Sequence, residues 1–175
     1  MGFSWLMMQA VHELGHVIGA RATGGEIERV VLSPLAFSRT DVSPNPHPLL
    51  EVYSGPVFGV LIPVLLWLFI RQIGTIFSEL FRFFAGFCCI SNGVYIGFGP
   101  NSQGLDTQVM LSLGCHRWHL LLFGIPCIVM GLWLWNGTGK VFGFGQTCGH
   151  VDSKMVWISA FLFVGIVIIE LFANL

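Results

Sequence analysis

Charge is scarce in this sequence. Asp, Glu, Lys and Arg make up 10% of 175 residues, where a soluble domain has about 25%, and nine acids against eight bases leave a net charge of −1. With no basic stripe and no acidic tail, nucleic-acid binding is not expected. Paired cysteine is missing too: Cys88, Cys89, Cys115, Cys127 and Cys148 are odd in number, make no CxxC and mostly lie in apolar runs, so no disulfide framework is expected. A removable signal peptide is not expected either, because Met1 to Ala10 has no basic stretch and the apolar run continues past it. What the chain has in excess is apolar surface. Residues of the set AVILMFWYC make up 54%, with 16 Phe and 6 Trp, and the mean hydropathy is +0.78. Disorder is thereby excluded, and a polytopic membrane protein of one domain, residues 1–175, is implied.

Five apolar stretches are long enough to weigh as membrane helices: Phe3 to Ala20, Val57 to Ile73, Leu80 to Phe98, His119 to Trp135 and Met155 to Phe172. The first extends roughly 27 Å at 1.5 Å per residue and just spans. Between the first two lies the longest polar segment, Arg21 to Ser54. Within it, Glu26–Leu32 and Leu35–Val42 are rich in β-branched and aromatic residues and flank Ser33-Pro34, which predicts a short β-hairpin at the membrane surface. The fold class expected is therefore all-α and polytopic, with about five transmembrane helices and one surface hairpin. The Gly-rich stretch Asn136–Lys154 reads as a connection, since Gly137-Thr138-Gly139-Lys140 is followed by Val141 and not by the Ser or Thr of a phosphate loop. Calling the N-terminal side A, Arg71, Arg82, Lys140 and Lys154 fall on side A and Arg21, Arg29, Arg39 and Arg117 on side B, so the charge bias does not orient the chain.

The chemistry is concentrated in Val11-His12-Glu13-Leu14-Gly15-His16-Val17. Positions i and i+4 of a helix lie on one face, so His12 and His16 present two imidazoles to one point. Such a pair suits Zn²⁺, and Glu13, projecting beside the metal, can take a proton from water and hand it to a leaving amine. The bland alternative is a polar stripe that glues helices together. Against it stands the cost of polar and ionisable groups in an apolar span, where they mark function.

A catalytic zinc needs a third ligand from the protein. The third predicted helix delivers the chain to side B, where His16 also ends, and the segment emerging there contains Asp106. Asp106 is the candidate, with a first-turn acid of the helical stretch Thr107–Leu113 as its alternative role. Asp41, His47 and Glu51 in the long polar segment lie on the same side. His116 and His119 read as interfacial anchors, and Cys148 and His150 fall on the opposite side.

The HELGH of His12–His16, the Gly55-Pro56 pair and the Leu105-Asp106 pair together resemble the site-2 protease family of intramembrane zinc metalloproteases. The resemblance covers roughly Leu6 to Leu113, so helices at about 3–113 would form the core and those at about 117–175 an accessory part. It implies that His12, His16 and Asp106 bind one zinc ion, that Glu13 is the catalytic base, that the substrate is itself a membrane-embedded protein segment, and that the site lies towards the cytosolic face. Two positions depart from the family: Thr107 stands where Gly is usual after the Asp, and Phe98 where Asn is usual. Asn92 and Asn101 are the candidates for binding substrate backbone or the oxyanion, Asn92 having an interhelical hydrogen bond as its other possible use.

The function expected is thus an intramembrane zinc metalloendopeptidase. Two rivals stand beside it, a non-proteolytic metal-binding membrane regulator and a small ion transporter. Only hydrolysis requires a carboxylate that adjoins the metal without ligating it.

Overall fold

A computed structural model describes residues 2–73, 75–99, 105–142, 151 and 153–173. In chain order the elements are α1 (Gly2–Ala22), β1 (Ile27–Val31), β2 (Arg39–Val42), α2 (Pro48–Ile70), α3 (Thr75–Phe98), α4 (Asp106–Ser112), α5 (Arg117–Trp135), a 3-10 turn (Thr138–Lys140) and α6 (Ser153–Ala173). Four of these, α2, α3, α5 and α6, are long and apolar enough to cross a membrane. The expected fifth span, α1, has the length, but Gln9, His12, Glu13 and His16 lower its hydropathy and all four are buried inside the bundle. This make-up is compatible with an integral membrane protein.

The start of α2 differs from the reading by nine residues. Gly55-Pro56 was expected to precede the helix, yet α2 begins at Pro48 and continues through Pro56 and Pro63. Pro48 suits the first turn, where its missing N–H has no partner to lose, and Glu51 complements the positive end of the helix. The two inner prolines are buried, and packing against neighbouring helices tolerates the lost hydrogen bonds.

Helix α3 is the axis of the molecule. Its apolar stretch is 61% buried, against 17% for α6. It contributes to all three apolar clusters: Leu80 and Phe84 meet Phe3 of α1 and Met155 of α6; Ala85 and Cys89 meet Val60 of α2 and Leu134 of α5; Ile96 meets Val52 of α2, Met110 of α4 and Leu120 of α5. Glycines set the closest approach. A Cβ on Gly124 of α5 would fall 2.6 Å from the Gly93 carbonyl oxygen of α3, and one on Gly131 would fall 2.7 Å from that of Gly86. Trp135 of α5 stacks on Phe83, and its Nε1–H donates to the Phe83 carbonyl at 2.9 Å.

The hairpin is antiparallel, with Ile27 opposite Val42 and Val31 opposite Arg39, and its strands are shorter than expected because Leu32 to Ser38 form the connecting loop. It lies along α1 from Trp5 to Glu13. The Phe37 ring meets Trp5 edge-on at 6.1 Å, the Ser38 N–H donates to Gln9 Oε1 at 2.9 Å, and the Thr40 hydroxyl donates to Glu13 Oε2 at 2.7 Å. Two residues of extended chain advance about 6.7 Å and four residues of helix about 6.0 Å, so Ser38 and Thr40 match Gln9 and Glu13 without distortion.

Candidate metal centre

Four elements meet around the inward face of α1. His12, Glu13 and His16 are 8%, 6% and 5% exposed. The Nε2 atoms of His12 and His16 stand 3.1 Å apart, and Asp106 Oδ2, from the first residue of α4, lies 2.9 Å from the former and 3.4 Å from the latter. Contacts with α3 hold Asp106 at this point. Its backbone N–H donates to the Tyr95 hydroxyl at 3.1 Å, and the Thr107 hydroxyl donates to the Tyr95 carbonyl at 3.0 Å. Thr107, one of the two departures from the site-2 protease pattern, is 1% exposed and acts as the dowel that seats α4 on α3.

The outer nitrogens of both imidazoles are engaged. His12 Nδ1 is 2.7 Å from Asn92 Oδ1, and Asn92 Nδ2 donates to the Cys88 carbonyl at 2.9 Å, which fixes the amide's orientation. His16 Nδ1 is 2.8 Å from Glu51 Oε1, whose second oxygen accepts from Asn45 Nδ2 at 3.3 Å. Since Asn92 and Glu51 offer acceptors, each histidine carries its proton on Nδ1 and turns a lone pair at Nε2 inward. Three acceptors then converge with no donor among them, and such a cluster calls for a cation.

The donor set fits zinc. Ligand atoms at 2.0–2.2 Å in a tetrahedron stand about 3.3–3.6 Å apart, and the three separations here, 2.9, 3.1 and 3.4 Å, lie at that range or a few tenths of an ångström below it. Two imidazoles and one carboxylate would supply three protein ligands, the number that catalytic zinc sites use. Glu13 adjoins the cluster without belonging to it. A cavity of about 510 Å³ opens beside the group, walled by Gln9 and Trp5 of α1, Phe37 and Arg39 of the hairpin, Tyr95 of α3 and Val109 of α4.

The other expected residues fall elsewhere. Asn92, a candidate for substrate or oxyanion binding, spends its amide on His12 and Cys88. Asn101 lies outside the described residues, as do Cys148 and His150. Asp41 pairs with Arg39 at 3.3 Å on the exposed part of the hairpin, His47 precedes α2, and His119 Nδ1 accepts from the His116 N–H at the start of α5. The role of Glu51 behind His16 was not foreseen, nor that of Thr40 behind Glu13. A signal for the first was present, since Glu51 stands four residues before Gly55 and therefore on the same helix face once α2 is known to begin at Pro48.

Fold and site define a helical bundle of membrane-spanning composition with a buried two-histidine, one-carboxylate cluster and an adjoining glutamate. Set against known proteins, the chain matches no family model, no curated protein and no solved structure.

Proposed function

We propose that this protein is a zinc-dependent endopeptidase that hydrolyses peptide bonds in or near transmembrane segments, as its resemblance to site-2 proteases implies. The observation that carries the reading is the convergence of His12, His16 and Asp106 on one point with Glu13 beside it, inside a helical bundle. A zinc ion held by these three residues would lower the pKa of a water in the remaining position to about 7 and polarise the scissile carbonyl. Glu13 takes the proton of the attacking water and delivers it to the departing amine nitrogen. The Thr40 hydroxyl on Oε2 keeps the carboxylate from turning away. Asn92 and Glu51 hold the imidazoles so that their Nε2 lone pairs face the shared point. Phe37 and Trp5 screen the cavity on the hairpin side, and an extended peptide of several residues fits its volume.

The glutamate favours hydrolysis over a metal-binding regulator, which needs the ligands but no adjoining base. Glu13→Gln preserves size and leaves the three ligands in place. Purified in detergent and offered single-span polypeptides with helix-breaking residues in the span, the variant should retain about one zinc per chain and lose cleavage by at least about 10²-fold. Equal cleavage by parent and variant would refute hydrolysis with Glu13 as base, and a folded parent without transition metal would refute the metal-dependent reading altogether.

A further inference from the structure

Hydrolysis of a peptide bond places negative charge on the carbonyl oxygen, and a donor aimed at that oxygen is among the largest contributions a site can make. Most polar groups on the cavity wall are already committed. Asn92 is 1% exposed and holds His12; the Thr40 hydroxyl proton goes to Glu13; the Arg39 side chain is 64% exposed and pairs with Asp41. Gln9 Oε1 accepts from the Ser38 N–H, and its Nε2 is buried with no partner among the described residues.

Tyr95 is different. Its side chain stands one helical turn after Asn92 on the same face of α3, and its ring lies edge-on to the His12 imidazole with centroids 5.8 Å apart. Its phenolic oxygen accepts from the Asp106 N–H at 3.1 Å, which brings that oxygen beside the third member of the cluster. A phenol that accepts one hydrogen bond still has its own proton to donate, and no acceptor for that proton exists among the described residues. Tyr95 lines the cavity, its hydroxyl fixed at the oxygen by the Asp106 N–H and, among the described residues, unspent at its hydrogen.

We propose that the Tyr95 hydroxyl donates a hydrogen bond to the carbonyl oxygen of the scissile peptide bond as charge develops there, making Tyr95 a catalytic residue; the assignment rests on the hydrolase reading. As the water oxygen bonds to the carbonyl carbon, the π pair of the carbonyl moves onto its oxygen, and Tyr95 stabilises that pair without giving up its proton. The pair then returns, the C–N bond breaks, and the nitrogen takes the proton held by Glu13. The substrate class this serves is a main-chain amide, independent of side chain.

Tyr95 also touches α4, so a purely positioning role is the alternative to separate. Tyr95→Phe removes only the hydroxyl, and Thr107 still anchors α4 through the Tyr95 carbonyl. With the same single-span polypeptides, kcat should fall about 10²-fold while KM and zinc affinity stay within about threefold. A peptide phosphinate, whose tetrahedral oxygens mimic the developing charge, should bind the variant weaker by a similar factor. Unchanged kcat, or unchanged phosphinate affinity, would overturn the proposal. A tenfold or greater loss of zinc affinity accompanying the loss of kcat would overturn it too, by showing that Tyr95 acts only through Asp106. A parent protein that binds zinc but cleaves nothing would sink the hydrolase reading and this assignment with it, an outcome distinct from cleavage that Tyr95→Phe leaves intact.

Discussion

Gly55 of α2 lies so close to the His16 ring that even a methyl group on it would overlap Nε2, with Cε1 at 2.5 Å and Cδ2 at 2.7 Å. One turn later, a Cβ on Gly59 would meet both Asn92 amide atoms at 3.0 Å. Two glycines on one helix thus seat a member of the candidate metal cluster and the support of the other histidine. Gly55→Ala should displace His16 and lower zinc affinity by more than about tenfold, since core overpacking of this kind typically costs about 1–3 kcal/mol. Gly59→Ala should cost less, because an amide can give by a few tenths of an ångström. Competition with a chromophoric chelator would measure both, and a Gly55→Ala protein with parental affinity would show that His16 has room to retreat.

Glu51 behind His16 resembles the outer carboxylates that orient zinc-bound histidines, whose loss typically weakens metal binding by about 10–100-fold. Glu51→Ala should fall in that range. Glu51→Gln keeps an oxygen for His16 Nδ1 and should lose markedly less. Equal losses in the two variants would mean that the charge of Glu51, and not its acceptor geometry, supports the site.

Among the acidic candidates the arrangement separates Asp106 from Asp41. Asp106→Ala removes the carboxylate that both histidines face and should abolish stoichiometric zinc binding, whereas Asp41→Ala leaves an exposed arginine unpaired, which is worth about 0–1 kcal/mol. Zinc content of the two purified variants decides; retention in Asp106→Ala would assign the third ligand elsewhere.

Acid should compete with the metal. Zinc requires the Nε2 lone pairs of His12 and His16 and the Asp106 carboxylate unprotonated, so binding releases protons and affinity falls as pH falls. Titrations at pH 7.5 and pH 5.5 should differ by at least about tenfold. A flat affinity across that interval would exclude histidine as a ligand.

The histidine pair was legible because a 3.6-residue period depends on nothing outside α1. Asp106 was legible by following which side of the bundle each helix delivers the chain to. The hydrogen bonds that orient the pair were not, because Asn92 lies 80 residues from His12 and Glu51 lies 35 from His16. Glu51 was further hidden by reading Gly55-Pro56 as a helix entrance; a proline limits a helix only where packing does not compensate, and here α2 passes straight through. Helix α1, counted as a fifth span from its apolar length, is a long helix whose polar face is turned inward and which is less apolar than the other four. Thr107 counted against the resemblance as a missing glycine, whereas its hydroxyl docks α4 on α3.

The hairpin that holds Glu13 through Thr40 consists of two short strands, and a two-stranded sheet is at best marginally stable by itself. His12 and His16, in contrast, are rooted in α1, which packs against α2 through the buried Gly15 and Gly55. Warmed gradually, the molecule should therefore lose turnover at a lower temperature than it loses helicity, with zinc still bound in the interval and activity returning on cooling. The clamp on the base and the residues facing the metal would belong to separately melting parts of one site, so turnover could be dimmed without dismantling the centre that supports it.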